Sequence, residues 1–97
     1  MITGKQRAYL RGLANNMDPI FQIGKNGIEE TFLKQLEEAL EARELIKITI
    51  LNTTPDDKHS IAEEIANKTG AEVVHVIGNK LTIYKRAEKN PKIELPM

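Results

Sequence analysis

The sequence predicts an α/β domain built on a four-stranded mixed sheet, with elements in the order α-β-α-β-α-β-β. Three observations predict it. Segments with apolar residues at helical spacing alternate with short β-branched runs, which implies crossover connections and a mixed sheet. The last two runs, Val73 to Ile77 and Leu81 to Tyr84, are joined across Gly78-Asn79, a favourable hairpin turn. The chain has 97 residues, 40% of them apolar, enough for one core and too few for two domains. Residues 1–97 are therefore read as a single domain.

Thr3 followed by Gln6 is a capping-box pattern that starts a first helix. Tyr9, Leu10, Leu13, Ala14 and Met17 fall on one side of it, and Arg7 and Arg11, one turn apart, share a flank. Asn15 to Pro19 ends it. Ile20 to Ile23 reads as a short strand, interrupted by Gly24-Lys25-Asn26-Gly27. From Ile28 the pattern is helical again, with Ile28, Phe32, Leu36, Ala39 and Leu40 as the apolar stripe. Glu29 and Glu30 are expected in its first turn, where the helix dipole favours carboxylates. Leu45 to Leu51 is the strongest strand candidate. Thr54, Pro55, Asp56 and Asp57 read as an N-cap, a first-position proline and two first-turn acids. Ile61, Ala62, Ile65 and Ala66 form the buried face of a third helix, which Gly70 stops. From about residue 86 to 97 the chain, with Pro91 and Pro96, reads as a tail.

Composition excludes several classes. There is no cysteine, hence no disulfide framework and no thiolate metal site. His59 and His75 are far apart and lack a third nitrogen or sulfur partner, so neither a metal nor any other cofactor is expected. The N-terminal residues contain no signal-peptide apolar run, and no apolar stretch approaches the roughly 20 residues that span a bilayer. A soluble, cytoplasmic, monomeric protein with no membrane partner is expected. Ser60, the only serine, has no nucleophile-elbow context, and the glycine loop lacks the spacing of a Walker phosphate loop. An enzyme is not expected.

The formal net charge is zero, but its distribution is uneven. Residues 1–27 carry Lys5, Arg7, Arg11 and Lys25 against Asp18, a net of +3. Residues 28–72 carry five bases and eleven acids, a net of −6. Residues 73–97 carry Lys80, Lys85, Arg86, Lys89 and Lys92 against Glu88 and Glu94, a net of +3. If the two basic ends meet in space, one face suits phosphate.

Gly24-Lys25-Asn26-Gly27 lies between a strand and a helix. Two glycines three apart allow a sharp turn with no Cβ in the way, so a phosphodiester can approach main-chain N–H groups. The following helix N-terminus would point its free N–H groups at the same place. Lys25 adds a charge and Asn26 an amide. KH domains clamp nucleic-acid backbones with such a GxxG loop, although two glycines in a βα connection are also an ordinary turn.

The chain as a whole resembles the YhbY family, the stand-alone bacterial form of the CRM (chloroplast RNA splicing and ribosome maturation) domain. The resemblance rests on Thr3-Gly4-Lys5-Gln6-Arg7 with Leu10-Arg11-Gly12-Leu13-Ala14, on Ile23 to Ile28, on Glu44 to Ile48, and on Val76 to Leu81 with Ile83-Tyr84-Lys85. It runs from Thr3 to about Pro96. One departure is Lys85, where the family often has arginine after the tyrosine; Arg86 follows it. The resemblance implies a fold similar to the C-terminal domain of translation initiation factor three, preceded by an extra helix. It also implies an RNA-binding module associated with precursors of the large ribosomal subunit.

The expected RNA-binding residues are Lys5, Arg7, Arg11, Gly24, Lys25, Asn26, Gly27, Tyr84, Lys85 and Arg86. Plainer roles exist for several of them. Charge on a helix flank is often only solvation, and a strand tyrosine more often packs than stacks on a base. Two Phe, two Tyr and no Trp are too few for a platform that stacks successive bases. Structured RNA, read by backbone and shape, is the expected partner. The alternative is a protein-binding adaptor whose acidic helix face, with Glu37, Glu38 and Glu41, recruits a basic protein.

Overall fold

The computed structural model describes residues 2–52 and 57–97. Helix α1 spans Gly4–Ala14, strand β1 Phe21–Ile23, helix α2 Glu30–Arg43, strand β2 Leu45–Ile50, helix α3 Lys58–Thr69, strand β3 Glu72–Ile77 and strand β4 Lys80–Tyr84. The expected element order holds. The sheet order is β1-β2-β4-β3; β1 runs parallel to β2, and β4 runs antiparallel to both β2 and β3. The sheet is mixed because the β1–α2–β2 crossover returns the chain in the same direction, whereas the Gly78-Asn79 turn reverses it.

Period-two alternation on both central strands divides the interior into two clusters. Ile46, Ile48 and Ile50 of β2 and Leu81 and Ile83 of β4 point to one face. There they pack with Leu36 and Leu40 of α2 and Ile61, Ala62 and Ile65 of α3. Leu45 and Tyr84 point to the other face and pack under Leu10 and Ala14 of α1, together with Ile2 and Val74. Val74 joins that cluster because β3 is irregular between Val73 and His75; Val73 still faces the α2–α3 side.

The capping box forms as expected. The Gln6 N–H donates to Thr3 Oγ1 at 3.1 Å, and the Thr3 N–H donates to Gln6 Oε1 at 2.9 Å. The expected apolar stripe of α1 is narrower than its sequence. Leu10 and Ala14 are buried, but Tyr9 and Leu13 keep 43% and 40% exposure because they turn away from the sheet.

Two other boundaries differ. Helix α2 starts at Glu30, two residues later than the apolar pattern suggests, with Glu29 extended at the N-cap position. Gly27 has φ of +67°, and Ile28 packs against the core before helical geometry begins, which postpones the first turn. In α3 the cap is Asp57, whose carboxylate accepts the His59 N–H at 2.9 Å and the Ser60 hydroxyl at 2.7 Å. Asp57 is therefore the capping residue and not a first-turn acid. The expected cap at Thr54, with Pro55 and Asp56, lies outside the described residues.

No helix or strand follows Tyr84, but residues 86–97 are held firmly. The buried Glu44 carboxylate accepts backbone N–H groups from Ala87 at 2.8 Å, Lys92 at 2.6 Å and Ile93 at 2.7 Å. The Glu41 carboxylate accepts those of Glu88 at 3.0 Å and Lys89 at 3.1 Å. Ile93 and Leu95 pack on the α1-side cluster. Finally, Gln6 Nε2 donates to the Pro96 carbonyl at 3.0 Å, and Lys5 Nζ donates to that of Met97 at 3.1 Å. The two ends of the chain thus meet at the N-terminus of α1, through Lys5 and Gln6, while the C-terminal base Lys92 turns its Nζ to the Ala42 carbonyl at 2.9 Å.

Candidate nucleic-acid interface

Strand directions place the expected site residues. Strands β1 and β2 are parallel and β4 is antiparallel to β2, so the ends of β1 and β2 and the start of β4 lie together. The Gly24–Gly27 loop is at this end, beside Leu51, whose N–H donates to the Ile23 carbonyl at 2.8 Å. The Gly78-Asn79 turn is there too, with the Asn79 carbonyl accepting the Ile50 N–H at 2.7 Å. Tyr84 is the last residue of β4, at its opposite end, and Lys85 and Arg86 follow it. Four residue steps along the strand separate Lys80 from Tyr84, about 13 Å at 3.3 Å per residue. The loop and the Tyr84–Arg86 segment therefore cannot grip the same phosphate.

The loop itself is a tight turn. The Gly27 N–H donates to the Gly24 carbonyl at 3.0 Å, and Gly27 takes the left-handed conformation that suits glycine. That bond occupies the Gly27 N–H. The side chains of Lys25 and Asn26 at the turn corners are exposed and make no hydrogen bond among the described residues. The start of α2 contributes less than expected. Two residues separate it from Gly27, and Glu29 and Glu30 place negative charge there.

Helix α1 carries Lys5, Arg7 and Arg11 and no acid. Arg11 is exposed and without a side-chain partner among the described residues. Arg7 is half-buried, and its Nε donates to the Val73 carbonyl at 3.2 Å, so part of its role is to tie α1 to the β3 edge. Lys5 is exposed and bonded to the C-terminal residue.

The other end of the chain divides more sharply. Tyr84 is only 5% exposed; its ring belongs to the α1-side core and offers no face for a base. Burial raises the pKa of its phenol, and the Glu44 carboxylate adds to that. Lys85 Nζ donates to the Thr69 carbonyl at 2.8 Å, capping the end of α3, where the dipole favours a cation. Arg86 is exposed and lines an open cavity of about 660 Å³ with Gln6, Tyr84 and Ile93. Of the adjacent pair, Arg86 has its charge in solvent and Lys85 has its charge in the fold.

Sequence reasoning missed Glu44 and treated Glu41 only as part of the acidic helix face. Burial alone raises the pKa of the Glu44 carboxyl, and the N–H groups of Ala87, Ile93 and Lys92, with the charge of Arg86, outweigh it and hold the value below the usual carboxylate range. The Glu88 and Lys89 N–H groups lower that of Glu41. A signal existed for Glu44: it is a charged residue at the junction of a helix and the most apolar strand. Its φ of +67° is the only positive value on a described non-glycine residue. Among the described residues, no cluster of three or more His, Asp or Glu is placed to hold a metal ion, and no helix is long and apolar enough to cross a membrane.

Comparison with known proteins agrees with this architecture. The family profile described as the CRS1 / YhbY (CRM) domain matches residues 2–85. The chain is 45% identical over 96 residues to "Probable RNA-binding protein YqeI" of Bacillus subtilis, covering 99% of this chain and 100% of that one. It is 36% identical over 95 residues to an "RNA-binding protein" of Haemophilus influenzae, covering 98% and 95% respectively. The solution structure of SAV1595 from Staphylococcus aureus, 52% identical, superposes with a TM-score of 0.83 over 99% of this chain and 100% of that one. With its profile match, full-length relatives and shared fold, the chain belongs to the CRS1/YhbY (CRM) domain family.

Proposed function

We propose that this chain binds structured RNA through its phosphate backbone, and that the RNA is large-subunit ribosomal RNA in a precursor particle. The observation that carries the reading is the separation of charge across the sheet. The helix on one face, α1, has three bases and no acid, while α2 and α3 on the other face carry six acids, Glu30, Glu37, Glu38, Glu41, Glu63 and Glu64, against four bases, Lys34, Arg43, Lys58 and Lys68. A polyanion is attracted to the first helix more than to the other two. Arg11 and Lys25 are exposed and have no side-chain partner among the described residues, and Arg7 adds a fixed charge beside Arg11. Relatives named for RNA binding support the same class of partner. The ribosomal assignment rests on the family resemblance.

In this reading the protein is a binding module and not an enzyme, acting as a monomer in the cytoplasm. The Lys25 and Asn26 corners of the loop meet a phosphate directly, while Arg7 and Arg11 supply the neighbouring field. Crosslinking the protein to RNA in cells and sequencing the attached fragments tests it. The expected result is enrichment of large-subunit ribosomal RNA carrying unprocessed ends. Fragments spread over messenger RNA in proportion to abundance would overturn the ribosomal assignment.

A further inference from the structure

Helix α1 covers only part of its face of the sheet. The pairing register sorts the residues on that face into rows across the strands. Leu45 of β2, Tyr84 of β4 and Glu72 of β3, whose carboxylate accepts the Ile2 N–H, form the row under α1. The next row is Lys47, Thr82 and His75, and the one nearest the loop is Gln22, Thr49, Lys80 and Ile77. Neither of these two rows contains a carboxylate. The opposite face of the same strands is the main apolar core, so the polar character here is not imposed by packing.

The surface is open except at Thr82, which is buried between Lys47 and His75. Gln22 and Ile77 are exposed, Ile77 to 60%, and Lys47, Thr49, His75 and Lys80 are half-exposed. Lys47 and Lys80 make no ion pair among the described residues; Lys80 Nζ only reaches its neighbour Asn79 Oδ1 at 3.2 Å. Lys80 stands diagonal to Lys47 on the adjacent strand, a separation of about 7–8 Å between diagonal partners. Helical geometry adds a border. Gln6 reaches the C-terminal segment from one flank of α1, so Arg11, about 140° away around the helix at 100° per residue, lies toward the other flank.

We propose that this uncovered sheet face, with Lys47 and Lys80 at its centre, is a track for an RNA phosphodiester backbone, joining Arg11 at one border to Lys25 at the other. The proposal rests on the RNA-binding reading above and names the surface between its two basic elements. The occupant follows from charge and from ring count. Two lysines and a histidine with no acid in either row favour a polyanion, although Asp18 lines a cavity beside Lys47. The absence of Phe, Tyr and Trp from both rows removes the base-stacking platform with which sheets hold single strands. The track therefore fits the backbone of a folded or double-helical RNA, and the Thr49 and Gln22 side chains supply neutral hydrogen bonds to the same phosphates.

The test uses the full chain and a fluorescently labelled RNA hairpin. Lys47→Gln and Lys80→Gln are made singly and together, beside Lys34→Gln with Lys58→Gln, which removes the same charge from the α2–α3 layer. Each single track variant should weaken binding about threefold to tenfold. The double variant should make the log affinity against log salt slope shallower by about 1.4–1.8, from 0.7–0.9 per phosphate contact. The control pair should bind like wild type, and Lys47→Arg with Lys80→Arg should restore most of the affinity. Amide chemical shifts of wild-type protein provide a reading that needs no variant. Adding the hairpin should move the signals of Gln22, Lys47, Thr49, His75 and Lys80. If wild type binds the hairpin while the double Gln variant keeps its affinity and slope, or those five amides stay still, the track is wrong and the RNA-binding reading stands. If wild type binds no RNA even at low salt, both fall together.

Discussion

The Glu44 carboxylate accepts the backbone N–H of Ile93 at 2.7 Å, 49 residues along the chain, from a fully buried position. That contact, with the Lys92 and Ala87 N–H groups on the same carboxylate, turns an irregular C-terminal segment into part of the fold. Glu44→Gln keeps the shape but replaces one acceptor oxygen with an NH₂ that faces an N–H donor. Unfolding in urea should show a loss of about 1–3 kcal/mol, the range for a buried hydrogen-bonding group left unsatisfied. An unchanged midpoint would mean that the segment contributes nothing.

The same carboxylate makes stability depend on pH. Its pKa is lower in the folded protein than in the unfolded chain, so the unfolded chain binds more protons as pH falls. The Glu44 contribution is complete above about pH 5 and declines as pH drops through the unfolded value near 4.3 toward the folded one. Thermal melts from neutral pH downward should show this decline in wild type and a weaker decline in Glu44→Gln.

Two glycines should respond in opposite directions. Gly12 sits inside α1 with nothing within 4 Å of an added Cβ. Gly12→Ala should raise stability by about 0.5–1 kcal/mol by restricting the unfolded chain. Gly27 also has open space, but its φ is +67°. Gly27→Ala should cost about 1–2 kcal/mol from backbone strain alone. Thermal denaturation of both variants separates conformation from crowding.

The arginines of α1 should also separate. Arg7→Ala removes a bond to the Val73 carbonyl and should cost about 1 kcal/mol of stability. Arg11 is exposed and has no side-chain partner among the described residues, so Arg11→Ala should stay within about 0.5 kcal/mol of wild type. Both should weaken RNA binding. Paired denaturation and binding curves would show whether the loss of affinity in Arg7→Ala comes with a loss of fold.

Much of this architecture is legible in the residues. The Thr3–Gln6 capping box, the alternation of Leu45 to Ile50 and the Gly78-Asn79 turn each act through local geometry, and each forms as its sequence suggests. The start of α2 is less legible, because the positive φ of Gly27 and the packing of Ile28 delay a helix whose apolar pattern begins earlier. The C-terminal segment is not legible at all. Its anchors are backbone N–H groups, which every residue but proline has, so they leave no pattern in the sequence. Lys85 shows a similar limit: its charge reads as a surface feature, and only the fold places it on the Thr69 carbonyl.

In the proposed function RNA is held by its phosphates on the α1 side of the sheet. A salt titration of hairpin binding by the full chain tests it most directly. About four phosphate contacts, at 0.7–0.9 each, predict that log affinity falls linearly with log salt with a slope of about −2.8 to −3.6. A slope near zero, whatever the affinity, would contradict the claim.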